Sequence, residues 1–114
     1  MIQILRTPIT RNELQEIPDE SFGDLVKAVL DVSPSVMALG GELHADEEAV
    51  LLEDGSTQKD LWGINLYPSV KDEGMIEFDS MINIRPTHRN RSRTVEDERV
   101  RKRIIELVNK LIVE

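Results

Sequence analysis

The sequence predicts an α+β fold, a mostly antiparallel sheet of about five strands with two or three helices packed on one face. Two observations support this class. Short segments of alternating or β-branched apolar residues are separated by turn signals, and a long amphipathic helix follows them at the C-terminal end. The 114 residues are 39% hydrophobic and 32% charged, a globular composition, so we expect one domain, 1–114, with one core.

The N-terminal segment predicts a strand followed by a short helix. Residues Ile2 to Leu5 are mostly apolar and form the expected first strand. Thr10 with Glu13 three residues later is a capping-box pattern, which predicts a helix from Arg11 to Ile17. Pro18 is expected to end that helix because proline lacks the backbone N–H.

A hairpin is predicted next. Leu25 to Val32 is rich in β-branched residues, Ser33-Pro34-Ser35 is a turn, and Val36 to Leu43 is the returning strand. Gly40-Gly41 within the second strand indicates a bulge or a close approach of backbone.

The segment from Asp46 to Asp54 allows two interpretations. With Asp46 as N-cap and Gly55 behind, it is a short helix, the interpretation we favour. A strand from Ala49 to Glu53 is the alternative.

The C-terminal half predicts two strands and the long helix. Trp62 to Leu66 and Met75 to Arg85 both alternate, and the second is the clearest strand of the chain. Thr94, with Asp97 three residues on, is the expected cap of the last helix. The apolar positions of that helix have spacings of three and four and form one stripe: Val100, Ile104, Leu107, Val108, Leu111 and Ile112, widened by Ile105.

Charge is segregated along the chain. Residues 1–84 carry 5 Lys and Arg against 17 Asp and Glu, a net of −12, whereas residues 85–114 carry 9 against 5, a net of +4, which gives −8 in total. This acidity argues against binding to nucleic acid or to an anionic membrane. No apolar run approaches the roughly 18 residues of a membrane span. The absence of cysteine excludes disulfides and thiolate metal sites and suits a reducing cytoplasm.

Residues 85–94, called the arginine loop below, are the first candidate site. The loop has four arginines and no carboxylate, and it leads into the last helix. Planar guanidinium groups and free helix N–H groups both favour an anion. The candidate anion-binding residues are Arg85, Arg89, Asn90, Arg91, Ser92 and Arg93. The alternative is that these arginines pair with the acidic half of the chain.

Two further polar sets are secondary candidates. Asp79 and Asn83 lie on one predicted face of the strand from Met75 to Arg85, and Asn65 could join them from the neighbouring strand. Such a row could transfer protons, or hold a divalent metal through Glu77 and Asp79. Another set contains Glu42, His44 and Asp46, but zinc sites require three or four good ligands, so no metal site is assigned. The ordinary alternatives are a solvated sheet face and an exposed turn.

Three segments carry a family resemblance. They are Gly41-Glu42-Leu43-His44-Ala45-Asp46, Leu61-Trp62-Gly63-Ile64-Asn65, and Asn90 through Arg93 followed by Val95-Glu96-Asp97. The chain resembles, nearly end to end, a family of small prokaryotic proteins known only as a domain of unknown function. The resemblance implies a stand-alone bacterial or archaeal cytoplasmic domain, and it brings no activity, cofactor or catalytic residue.

Three functions are therefore open. The favoured one is a non-enzymatic binding or regulatory domain that recognises a phosphorylated small molecule or an acidic partner protein through the arginine loop. The second is a hydrolase or transferase for a phosphorylated substrate, in which the arginines stabilise developing charge and Asp79 or His44 serves as base or metal ligand. The third is a structural subunit, such as a homodimer, with its arginines in ion pairs. The sequence identifies no cofactor.

Overall fold

The computed structural model describes residues 2–17 and 25–114, and for Glu73 and His88 it describes the backbone alone. Its helices and strands follow in chain order: β1 Gln3–Leu5, β2 Ile9–Thr10, α1 Arg11–Gln15, β3 Val26–Asp31, β4 Val36–Leu39, α2 His44–Glu53, β5 Leu61–Leu66, β6 Ile76–Glu77, α3 Glu98–Leu111 and β7 Ile112–Val113. The predicted α+β class is confirmed.

The main sheet has five antiparallel strands in the order β1-β4-β3-β5-β6. The predicted hairpin is β3 and β4, joined across residues 32–35. A separate pair, β2 and β7, is parallel and ties the start of α1 to the end of α3. The predicted capping box at Thr10 and Glu13 is present, whereas Pro18 lies outside the described residues.

Apolar side chains cover both faces of the sheet. On one face, α1 and α3 pack through Leu14, Ile104, Leu107, Val108 and Leu111. On the other, Leu51 of α2 packs on β3, β4 and β5. Two helices on one face agree with the prediction; the position of α2 on the opposite face was not indicated, because its sequence has little amphipathic pattern.

The strand predicted from Met75 to Arg85 is wrong over most of its length. Only Ile76–Glu77 pairs with β5, and the chain then forms 3-10 turns at Met81–Asn83 and Pro86–His88. The Asn83 side chain takes the place of a strand, since its Oδ1 accepts from the Gly63 N–H at 2.8 Å and its Nδ2 donates to the Gly63 carbonyl at 3.0 Å. Alternation of apolar residues could not show that a side chain, and not a neighbouring strand, would form the hydrogen bonds to β5 here.

Two helix starts also differ from the predictions. α2 begins at His44 rather than after Asp46, because Glu47 accepts from the Gly41 N–H at 3.0 Å and the His44 ring is anchored on β5. α3 begins after Asp97, whose Oδ1 accepts from the Arg99 N–H at 2.8 Å.

The close approach predicted at the paired glycines is present, although β4 has already ended there. A Cβ on Gly41 would lie 2.9 Å from Cγ of Glu47. Gly40 has a φ of 95°, a conformation that glycine adopts readily. None of the described helices is both long and apolar enough to cross a membrane.

Candidate ligand-binding cleft

The side chain of Asn90 holds the arginine loop in its conformation through hydrogen bonds. It is buried, and its Nδ2 lies 2.7–3.0 Å from the carbonyl oxygens of Asn83, Ser92 and Thr94, while its Oδ1 accepts from the Glu96 N–H at 2.9 Å. Because its polar atoms are all used inside the protein, this predicted site residue is structural. The same bonds hold residues 94–96 non-helical, so that Thr94 does not cap α3.

The backbone N–H groups of the arginine loop that could bind an anion are already bonded to the Glu96 carboxylate. Oε2 of Glu96 accepts from the Arg91 and Ser92 N–H groups at 3.0 and 2.9 Å and from the Ser92 hydroxyl at 2.7 Å. The hydroxyl bond, followed by the two backbone bonds, lowers the pKa of Glu96. Ser92 and the Arg91 backbone are thus committed internally.

The four arginines of the loop point to different places. Arg85 is buried, donates to the carbonyls of Leu61 and Ile82, stacks 4.8 Å from the Trp62 ring centre and lies 3.8 Å from Glu48. Burial lowers the pKa of Arg85. Its role is therefore structural.

The other three arginines are at the surface. Arg89 and Arg91 are exposed, and Arg89 has a positive φ of 61°. Arg93 instead donates through Nε and Nη2 to the two Asp79 oxygens at 2.9 and 3.0 Å. The predicted cluster of four anion-binding arginines is thus dispersed.

Arg93 lines a cleft of about 380 Å³ between the N-terminal end of α2 and the outer edge of the sheet. The polar residues that line it are Lys27, His44, Asn65, Glu77, Asp79, Ser80 and Arg93. The cleft thereby joins the arginine loop to three of the secondary candidates, His44, Asn65 and Asp79. The two others lie elsewhere: Asp46 is exposed on α2, and Asn83 is buried against Gly63.

Asn65 is one of three buried polar residues among those described that line this cleft, together with His44 and Ser80. Its Nδ2 donates to Glu77 Oε1 at 2.8 Å and to the Asp79 carbonyl at 3.1 Å, and two acceptors fix which end of the amide is the NH₂ group. Its Oδ1 is buried and has no hydrogen-bond partner in residues 2–17 or 25–114. A buried acceptor without a donor costs about 1–3 kcal/mol, which a ligand donor would recover.

His44 presents one free ring nitrogen. Its Nε2 lies 2.7 Å from the Ile64 carbonyl, which can only accept, so Nε2 carries the proton. Nδ1 has no hydrogen-bond partner within the described part of the chain. Burial lowers the pKa of His44, and the charges of Lys27 and Arg93 add to that effect, against the Ile64 bond and Asp79, which raise it. The imidazole is therefore held neutral.

Charges in the cleft are balanced. Lys27 and Arg93 contribute two cations, and Glu77 and Asp79 contribute two carboxylates. Its rim is apolar, since Leu43 is 55% exposed and Met81 is 65% exposed. Among the described residues, no three His, Asp or Glu side chains are grouped to hold a metal ion.

Sequence reasoning missed two residues of this region. Lys27 is paired in register with Asn65 on the neighbouring strand, and the available signal was a lysine in a strand whose only other charged residue is Asp31. Glu96 was not expected to fill the arginine loop, and no signal in the sequence distinguishes it from its acidic neighbours.

The fold and the cleft together define a small α+β protein with a mixed-charge polar site between a helix and a sheet edge. The chain belongs to the family described as "Protein of unknown function (DUF5674)", whose family model matches residues 3–111. No curated protein and no solved structure matches the chain.

Proposed function

We propose that this protein is a non-enzymatic binding domain for a small ligand with an anionic group, and that the cleft lined by Arg93 is its site. The observation that carries the proposal is the buried Oδ1 of Asn65, a residue that lines the cleft, because this acceptor has no donor within residues 2–17 and 25–114. Binding domains commonly place a few convergent polar groups in such a concave site.

Arg93 is the member of the arginine loop suited to the anion. Its bond to Asp79 uses Nε and Nη2, and Nη1 has no hydrogen-bond partner within the described ranges. A guanidinium held by one carboxylate is pre-oriented, so that a ligand carboxylate or phosphate can bond to Nη1 at a smaller entropic cost.

A thermal-shift screen tests this proposal. The probes are inorganic phosphate, phosphate monoesters, small carboxylates and amino acids, which also carry a carboxylate, each with wild type, Arg93→Gln and Arg99→Gln. Arg99 is the matched control because its side chain is 93% exposed on α3 and away from the cleft. A ligand at about 100 times its Kd adds about 2.7 kcal/mol, a Tm rise of several degrees.

We expect at least one anionic class to raise the Tm of wild type and of Arg99→Gln, and the rise to be lost in Arg93→Gln. A rise that persists in Arg93→Gln would contradict the assignment of the anion to this residue. No rise with any probe would reject the anion-binding function.

A second candidate, a hydrolase or transferase for a phosphorylated substrate, is favoured by one observation. The neutral His44 imidazole, with Nδ1 available as a base, lines the same cleft as the Asp79–Arg93 pair. Phosphorus NMR of phosphate monoesters incubated with wild type and His44→Gln tests it. Turnover by wild type alone would support it, and equal signals from both would remove it.

The cell context belongs to the same proposal. The resemblance to small prokaryotic proteins and the lack of cysteine support a prokaryotic cytoplasmic protein.

A further inference from the structure

We infer that the ligand of the cleft is an amphipathic zwitterion, an α-amino acid or a close analogue with an apolar side chain. This inference rests on the proposed function and adds the ligand class. Three features of the cleft carry it: a buried acceptor that has no partner among the described residues, a cation whose Nη1 makes no hydrogen bond to them, and an apolar rim.

The part of the cleft at Asn65 requires a hydrogen-bond donor on the ligand. Oδ1 of Asn65 can only accept, so its partner must bring an N–H or an O–H. Glu77 is held next to it by bonds from Asn65 Nδ2 at 2.8 Å and from the Tyr67 hydroxyl at 3.1 Å. A donor at Oδ1 therefore lies close to a fixed negative charge, which favours an ammonium over a neutral hydroxyl.

Arg93, which would bind the anionic group, and Asn65, which would accept from the ligand, are both bonded to Asp79. Nδ2 of Asn65 donates to the Asp79 carbonyl and Arg93 donates to the Asp79 carboxylate, so both ligand-binding side chains are bonded to this one residue. Lys27 adds positive charge from the strand position opposite Asn65. Two ligand-binding side chains joined through one residue fit a small molecule that carries both charges.

The balance of charge separates this ligand from a simple anion. Two cations and two carboxylates line the cleft, so phosphate alone would be attracted by Arg93 and repelled by Glu77 and Asp79. A molecule with both charges pairs with both kinds of group. The site thus selects against the simple anions for which four clustered arginines would be suited.

The apolar rim fits the remainder of such a molecule. Leu43 and Met81 are more than half exposed, and Leu25, Ala45 and Ile82 also line the cleft. Large exposed apolar side chains around a polar floor are typical of a site that buries an apolar group on binding. A leucine-sized side chain would contact this rim while its charged groups reach the floor.

Calorimetric titration tests the inference with L-leucine, L-methionine and L-phenylalanine, and with glycine, N-acetyl-L-leucine and L-leucinamide as probes that each lack one feature. We expect at least one of the three apolar amino acids to bind. We expect glycine and both leucine derivatives to bind at least tenfold more weakly than that amino acid.

Matched variants locate the two ends of the ligand. Glu77→Gln keeps an acceptor for Asn65 and Tyr67 but removes the charge, so it should weaken binding of the amino acid and should not weaken binding of the anion N-acetyl-L-leucine. Glu106→Gln is its control, because that side chain is 67% exposed on α3. Arg93→Gln should weaken binding of the amino acid and should not weaken binding of the cation L-leucinamide.

The outcomes separate this inference from the proposed function. N-acetyl-L-leucine or phosphate binding as tightly as every amino acid would overturn the zwitterion and leave anion binding standing. L-leucinamide binding as tightly as L-leucine would overturn both. Failure of all three apolar amino acids to bind at 10 mM, a concentration set for this test at ~100 times a Kd of ~0.1 mM, also overturns the inference.

Discussion

Side chains of Asn83 and Arg85 complete the outer edge of β5, where a strand was predicted. The Asn83 amide pairs with both backbone groups of Gly63, and Arg85 donates to the Leu61 carbonyl. Both residues were predicted to be site residues, since polar residues on an alternating segment resemble a functional row. Both are buried and donate to backbone carbonyls of the protein itself, so their role is structural.

Replacing Asn83 is expected to destabilise the protein strongly. Asn83→Ala leaves the Gly63 N–H and the Gly63 carbonyl without their partner and removes one of two donors from the Arg93 carbonyl, which keeps the Ser80 N–H. We expect a loss of about 2–4 kcal/mol in the free energy of unfolding, measured by urea denaturation. Asn109→Ala, at an exposed position on α3, should change it by less than about 0.5 kcal/mol. Equal effects of the two variants would disprove the role of Asn83.

His44 makes stability depend on pH. Burial lowers its pKa below the ordinary value of 6.5, so an unfolded chain binds the proton more readily than the folded one as the pH falls below that value. The stability from neutral His44 is present above pH 6.5 and is lost as the pH falls through the folded pKa. Between pH 7.5 and 5.5, the unfolding free energy of wild type should therefore fall more than that of His44→Gln. Equal falls would contradict the lowered pKa.

Among the helices and strands, prediction succeeded where local chemistry determines structure. The capping box of α1, the β3–β4 hairpin and the apolar stripe of α3 are local patterns, and each is present. Prediction failed from Met75 to Arg85, where contacts with a distant strand decide the conformation. A sequence pattern cannot show that β5 accepts a side chain in place of a backbone partner.

α2 gives the sheet its second core, which a single substitution can test. Leu51 is fully buried against β3, β4 and β5, whereas the adjacent Leu52 is 40% exposed. Leu51→Ala should cost about 2–5 kcal/mol, the range for a buried leucine. Leu52→Ala should cost less than about 1 kcal/mol in the same denaturation experiment. A similar small cost for both would argue that α2 does not pack on the sheet.

The turn segment that covers the edge of β5 approaches it closely at Gly63. A Cβ added there would lie 2.6 Å from Cβ and Oγ of Ser80. Gly63→Ala should therefore destabilise by about 1–3 kcal/mol, as overpacking does. Because Ser80→Gly removes both clashing atoms, a double-mutant cycle should show a coupling on the order of 1 kcal/mol. Additive effects would mean that Ser80 is not the obstacle.

Over the molecule as a whole, two of the four arginines of the arginine loop pair with carboxylates of the acidic half of the chain. Glu96 fills the backbone site of the arginine loop, Asp79 pairs with Arg93, and Arg85 is buried beside Glu48. The sequence could predict which polar residues are unusual, and His44, Asn65, Asp79 and Arg93 do meet in one cleft. It could not predict their meeting, which depends on α2 lying across the face that carries Asn65.

The most direct measurement follows the side-chain amide of Asn65 by ¹⁵N-correlated NMR during titration with L-leucine, L-methionine and L-phenylalanine. With at least one of them, we expect saturable shifts of the Asn65 NH₂ signals and of backbone signals from residues 43–45 and 79–82. The same titration of Arg93→Gln should give much smaller shifts. Saturable shifts confined to Arg89 and Arg91, or no saturable shift at Asn65 with any of the three, would contradict the cleft as the binding site.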